Sequence, residues 1–217
     1  MKSTTSVGAT QCRLTTNYLE PTIGAQMGLS AEPIQQKGID GVALAKRGLE
    51  STTWIELPFN AYRNDSICRV QLLQGSKLFD MFGFIFGESN VPLYVEAKNF
   101  DGNASKLDAY YREFLAHAYS ATALAKKNNT SERAEFMFVT THPFGIGKWV
   151  DNFKPSRIRE ALGEFSGVLN GAEIDDNILK ETSDLVHLLI LNERQERFML
   201  TASELSRIEE VLGRKAS

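Results

Sequence analysis

The stretch LFDMFGFIFGESNVPLYVEAKNF, residues 78–100, holds two apolar runs, 78–87 and 92–100, around the turn residues Glu88-Ser89-Asn90. Each run is short, rich in aromatic and β-branched residues and bounded by polar loop residues, which is how a strand reads. Three ionisable residues interrupt them: Asp80, Glu96 and Lys98. Residues two apart on a strand point to the same face, so Glu96 and Lys98 project together, beside Tyr94 and Phe100. A hairpin across the short loop sets Asp80 opposite the Glu96–Lys98 end. Glu and Lys are almost never buried without partners, so their place in core-building strands calls for a reason.

Working outward, residues 32–50 carry Ile39, Val42, Leu44, Ala45 and Leu49 at helical spacing, with Gly38 and Gly41 weakening the pattern. Residues 52–62 and 67–73 read as extended segments separated by Asn64-Asp65-Ser66. Downstream, Leu107, Tyr110, Tyr111, Phe114, Leu115, Ala118 and Thr122 line one face of a helix over 105–127. Ser105 is its expected cap and Asp108 the capping-box acid, while Lys126 and Lys127 suit its negative end. Residues 135–141 form a buried strand. The order is therefore helix, three strands, helix, strand. Beyond it come a Gly-rich loop (Pro143 to Gly147), a helix near 156–165, a polar stretch, a strand pair around the Asn192–Glu196 turn, and a helix from Thr201 or Ser203 to Gly213. We expect one domain with a core over about 35–141, an irregular N-terminal segment (1–34) and an α+β extension (142–217).

The chain has 217 residues, 42% of them hydrophobic and 24% charged, the balance of an ordinary globular protein. Cys12 and Cys68, the two cysteines, form no metal-binding pattern and imply no disulfide framework. The N-terminus lacks the apolar core of a signal peptide and no stretch approaches a membrane span, so a cytoplasmic protein with no membrane partner is expected. The net charge of −3 argues against an indiscriminate binder of nucleic acid. It leaves room for an enzyme acting on nucleic acid through carboxylate-held metal, with a local basic face or a partner supplying affinity.

Phosphodiester hydrolysis needs a divalent ion to neutralise charge at phosphorus and to lower the pKa of a water. Two carboxylates make a hard-oxygen site suited to Mg²⁺, and a lysine beside them can orient the water and stabilise developing charge. Asp80, Glu96 and Lys98 are such a set, and E96-A97-K98 is the only Asp/Glu-x-Lys tripeptide in the chain. On these residues the sequence resembles the PD-(D/E)xK nuclease superfamily. Asp80 matches the acid of the second strand, E96-A97-K98 the (D/E)xK tripeptide, and S105-K106-L107-D108-A109-Y110-Y111 the helix behind the active-site strands. Residue 79 is Phe where the family's name has Pro.

The resemblance implies a restriction-endonuclease-like αβββαβ core, with a mixed central sheet flanked by helices. It further implies Asp80, Glu96 and the Ala97 carbonyl as ligands of Mg²⁺ (Mn²⁺ substituting), and Lys98 as the catalytic lysine. Many members add an acid from the first helix; Glu50 is the candidate, with Glu32 and Glu56 behind it. DNA stands ahead of RNA as substrate, with a protein partner or a second copy of the chain expected, and antiviral defence as a family-level analogy. Lys148, Lys154, Arg157 and Arg159 are the candidate phosphate-contacting face, a solvated helix face being the alternative.

The histidines His117, His142 and His187 read as structural. The FGIGK stretch at 144–148 lacks the Lys-Ser/Thr ending of a P-loop. Two other readings stay open: a silent binding or scaffold subunit with the same fold, and an unrelated α/β scaffold.

Overall fold

The computed structural model describes residues 31–99, 104–130 and 133–213. Ser105, Lys148 and Glu32 have side chains outside that description, as do Cys12 and Phe100 altogether. The elements run α1 (Ala31–Glu50), β1 (Ile55–Asn60), α2 (Asp65–Cys68), β2 (Arg69–Gln71), β3 (Ser76–Leu78), β4 (Met81–Ile85), β5 (Val91–Lys98), α3 (Ala104–Lys127) and β6 (Glu135–Thr140). They continue with α4 (Pro155–Glu164), α5 (Asp176–Leu185), β7 (Val186–Ile190) and α6 (Ala202–Leu212), joined by 3₁₀ turns.

The main sheet is mixed and five-stranded, in the order β1-β4-β5-β6-β7. β1, β4 and β5 are antiparallel neighbours, whereas β5, β6 and β7 run parallel. The β5–β6 pairing therefore needs a crossover, which α3 supplies. Alternation along the strands divides the apolar residues between two layers. Phe136, Phe138 and Val186 meet Tyr111, Phe114 and Leu115 of α3 on one face, where α4 and α5 also pack. Leu57, Leu93, Val95, Met137 and Val139 meet Val42, Ala45 and Leu49 of α1 on the other. The protein is thus a mixed α/β fold, a sheet with helices on both faces.

The run 78–87 is not one strand. Leu78 pairs with Arg69 in the small β2–β3 sheet, whereas Met81 pairs with Val95 in the main sheet. Between them, Phe79 donates its amide to the Cys68 carbonyl (2.9 Å) and turns its ring into the core against Tyr94, Phe114 and Phe136. The chain changes sheets at Phe79–Asp80 because those two sets of partners lie in different sheets. Residues 67–73 are likewise only partly extended, since Asp65–Cys68 forms a short helix.

Three further expectations need correction. Residues 197–201 are no strand: 193–198 is a 3₁₀ turn closed by an Asn192–Gln195 capping box, and β7 pairs with β6 instead. The polar stretch before β7 contains α5, whose buried stripe is only Leu179, Thr182 and Leu185, too thin to stand out in sequence. Helix α3 starts at Ala104, ahead of Ser105, and Asp108 binds Arg112 and Arg157 rather than a capped amide. That bond ties α3 to α4.

The hairpin that carries the site is held at close range by Gly83. A Cβ there would lie 1.8 Å from the Glu56 carbonyl oxygen, where the β1 register slips between Glu56 and Phe59. Only a residue without a side chain lets β1 and β4 approach so closely. Gly83→Ala is therefore expected to force the strands apart and lower stability by about 2–4 kcal/mol, on the scale of backbone-displacing core changes. Urea unfolding followed by circular dichroism measures it; a loss below about 0.5 kcal/mol would show that β1 yields without cost.

Candidate functional site

Asp80 is held by its backbone before its side chain does anything. Phe79 anchors it on one side through Cys68, and its own carbonyl accepts the Ala61 amide at 2.9 Å. Since β4 starts only at Met81, the main-sheet partner of Ala97 is missing on this side. The Asp80 carboxylate takes that place: Oδ2 accepts the Ala97 amide at 2.8 Å. In a strand the N–H and C=O of one residue point the same way, so the Ala97 carbonyl also faces the Asp80 side. The Lys98 carbonyl faces the other, where it accepts the Thr141 amide.

Glu96 and Lys98 leave β5 on the α3 face, opposite the face that Val95 buries against α1. Lys98 Nζ donates to Glu96 Oε1 at 2.7 Å and stands 5.5 Å from the centre of the Tyr110 ring. A second lysine joins them. Lys77, on β3, donates to the same Oε1 at 3.2 Å and packs over the Phe79 ring. The Glu96 side chain is only 6% exposed, against 23% for Lys77 and 30% for Lys98. Its other oxygen, Oε2, is buried and has no hydrogen-bond partner. A buried carboxylate oxygen left unsatisfied is costly and marks a position meant for a donor or a cation.

The electrostatics follow from this crowding. Burial pushes the Asp80 carboxyl up, and the neighbouring Glu96 charge pushes it further, to about 6, against the pull of Lys98, the Ala97 amide and Lys77. Burial works to lower the Lys98 ammonium, but the charges of Glu96 and Asp80 outweigh it and hold the group above its ordinary value. His117, on α3, is kept low by burial and then by Lys77, and its Nδ1 is buried without a partner. Tyr62, just after β1, is raised by burial and by Asp80. Among the described residues no cluster of three or more His, Cys, Asp and Glu side chains is placed to hold a metal ion. Any ion here would rest on the two carboxylates, the Ala97 carbonyl and water.

Asp80, Glu96, Ala97 and Lys98 thus come together at one point, while Glu50 stands elsewhere. It ends α1, the helix on the opposite face of the sheet, and its carboxylate accepts the Leu57 amide at 3.0 Å and pairs with Lys46 at 3.2 Å. Glu56 lies opposite Phe84, toward the far end of β4 from Asp80. The described members of the basic cluster, Lys154, Arg157 and Arg159, each have acidic partners. Lys154 pairs with Asp151, Arg157 with Glu160 and Asp108, and Arg159 with Asp176. These acids compensate the charge that a phosphate face would need. Lys77 is the residue that the sequence did not reveal, since the acid it binds lies nineteen positions away and no local spacing pairs them.

No protein-family model matches the chain, and no curated protein matches it. Among solved structures it is similar to the Cap4 SAVED/CARF-domain containing receptor of Acinetobacter baumannii, determined with the cyclic trinucleotide 2'3'3'-cAAA, at 16% identity and a TM-score of 0.33. That alignment covers 82% of this chain and 35% of the receptor. The corresponding receptor of Moraxella osloensis aligns at 15% identity and a TM-score of 0.34, over 80% of this chain and 38% of that one. The matched region is thus little more than a third of those receptors' length.

The raised Asp80 carboxyl gives a signed prediction. An acid whose folded-state pKa exceeds its unfolded value of about 3.9 binds more proton when folded, so its contribution to stability is full below that value and is lost as pH rises through about 6. Asn at position 80 keeps an acceptor for the Ala97 amide and removes the charge. In EDTA at pH 7.5, Asp80→Asn is therefore expected to be more stable than the parent by about 1–2 kcal/mol, the gap closing toward pH 4. Thermal melts across that range check it. A variant that melts lower at pH 7.5 would show that attraction to Lys77 and Lys98 outweighs burial and Glu96.

Proposed function

We propose that this protein is a metal-dependent nuclease of the PD-(D/E)xK type, cleaving DNA ahead of RNA. The observation that carries the reading is the buried, unpartnered Oε2 of Glu96, set beside a raised Asp80 and a lysine two residues along the same strand. The element order α1, β1, β4, β5, α3, β6, with the β2–β3 hairpin inserted before β4, supports this reading, since it follows the order expected of an αβββαβ core. Phe79, which stands where the motif has Pro, serves the same end by fixing the backbone ahead of Asp80.

In this reading Asp80, Glu96 through Oε2 and the Ala97 carbonyl would hold Mg²⁺, or Mn²⁺ in its place. Bound there, the ion would supply Lewis acidity toward the phosphate and a more acidic water. Lys98, held charged by the two carboxylates, orients the nucleophilic water and stabilises the charge that develops on the phosphoryl oxygens. Phe79, buried in the core, and the outer ring of Tyr110 stand beside the two ammoniums, Lys77 over the first and Lys98 near the second. The charged groups of α4 are compensated internally, so affinity for nucleic acid is assigned to a partner protein or a second copy of the chain.

One observation favours a second reading. Lys77 and Lys98 both engage Glu96, so its charge is already compensated without any ion, as in a silent scaffold or binding subunit with this fold. Plasmid and single-stranded DNA cleavage with Mg²⁺, Mn²⁺ or EDTA separates the two. Under the nuclease reading Lys98→Ala is expected to lower the cleavage rate at least about 100-fold, the loss typical of a transition-state donor, with its circular dichroism spectrum unchanged. No metal-dependent cleavage by the parent on either substrate, or cleavage undiminished in Lys98→Ala, would remove the nuclease reading and leave the silent subunit.

A further inference from the structure

The tripeptide accounts for one lysine on Glu96, but two are present. They come from different sheets, Lys98 from β5 and Lys77 from β3, and both donate to the single oxygen Oε1. Two independent anchors on one oxygen fix the carboxylate's rotation, and the oxygen they leave over is the buried, unpartnered Oε2. The site as it stands sets two carboxylates, Asp80 and Glu96, against two ammoniums, with Tyr110, Glu113 and His117 facing it from α3. A dication placed at Oε2 would gain the attraction of both acids and meet the repulsion of both lysines.

We propose that Lys77 is a positioning residue of this site, which fixes Glu96 through Oε1, leaves Oε2 as the open donor, and by its charge sets how tightly a divalent cation is held. The inference rests on the nuclease reading, and concerns a residue outside the motif on which that reading stands. Two effects oppose each other when Lys77 is removed. The lost ammonium no longer repels the ion, which tightens binding by about tenfold for a partly solvated charge a few ångströms away. The lost anchor frees Glu96, a smaller penalty because Lys98 still holds the same oxygen. The charge effect prevails.

The test uses the full chain and its Lys77→Met, Lys77→Gln and Lys77→Arg variants, each first shown to melt cooperatively. Mn²⁺ alone, without nucleic acid, is titrated calorimetrically into each. Lys77→Met and Lys77→Gln are expected to bind Mn²⁺ about tenfold tighter than the parent, and Lys77→Arg, which keeps the charge, within about twofold of it. The Mn²⁺-induced rise in melting temperature should follow the same order. Gln keeps a donor toward Oε1 and guards the comparison if the Met variant does not fold. Neutral variants that bind Mn²⁺ no tighter than a binding parent would overturn this role for Lys77 and leave the nuclease reading standing. Arg binding as tightly as Met would overturn it too, by assigning the effect to packing. A parent and variants that all fail to take up Mn²⁺ would sink the metal reading and this inference together.

Discussion

The bond from the Ala97 amide to the Asp80 carboxylate is the contact on which the rest of the site depends. It exists because β4 begins two residues too late to pair with Ala97, so a side chain completes the ladder in place of a backbone carbonyl. A buried amide without an acceptor costs roughly 1–3 kcal/mol, which makes the position demanding. Asp80 meets that demand only because Phe79 is pinned in an aromatic cluster and the Ala61 amide holds the next carbonyl. The crowding with Glu96 follows from a carboxylate being held at that point, and Asp80 adds to the support that Glu96 gives the Lys98 charge.

This makes the site locally unstable and globally secure. Burial first, and the neighbouring Glu96 charge second, disfavour the Asp80 carboxylate, and the two lysines and the Ala97 amide offset them only in part. The surrounding packing bears the difference. Tyr111, Phe114, Phe136 and Phe138 are fully buried behind the strands, and Asp108 clasps Arg112 and Arg157 to lock α4 against α3. A fold with that much aromatic burial tolerates a strained group at its edge.

How much of this was legible in the sequence depends on how far apart in the chain the partners lie. The hairpin of β4 and β5 was readable because both strands and their turn fall within residues 78–100, and because alternation alone puts Glu96 in phase with Lys98. The α3 helix was readable from its long stripe. The break at Phe79–Asp80 was not, because it arises from two competing pairing partners, Arg69 and Val95, and only the fold decides between them. Lys77 stayed hidden for a similar reason, its partner being on a different sheet. Glu50, named through the resemblance, lies apart from Asp80, Glu96 and Lys98 because a place at the end of α1 does not tell on which side of the sheet that helix packs. The basic residues of α4 looked free because their acids, Asp108 and Asp176, are set on other helices. The β7 pairing was misjudged because a parallel neighbour leaves no local turn to announce it.

The order of connections in the main sheet has a consequence for how the chain assembles. β4 and β5 are joined through residues 86–90, whereas β1 reaches β4 across 61–80, β5 reaches β6 across 99–134 and β6 reaches β7 across 141–185. Closing a loop costs more entropy as it lengthens, and tight hairpins form on the microsecond scale, well ahead of long-range parallel pairing. The hairpin that sets Asp80 against Ala97 is therefore the least costly contact in the sheet to form. The strands can thus pair early, but Asp80 is fixed in its final place only when Phe79 docks against Phe114 of the crossover helix.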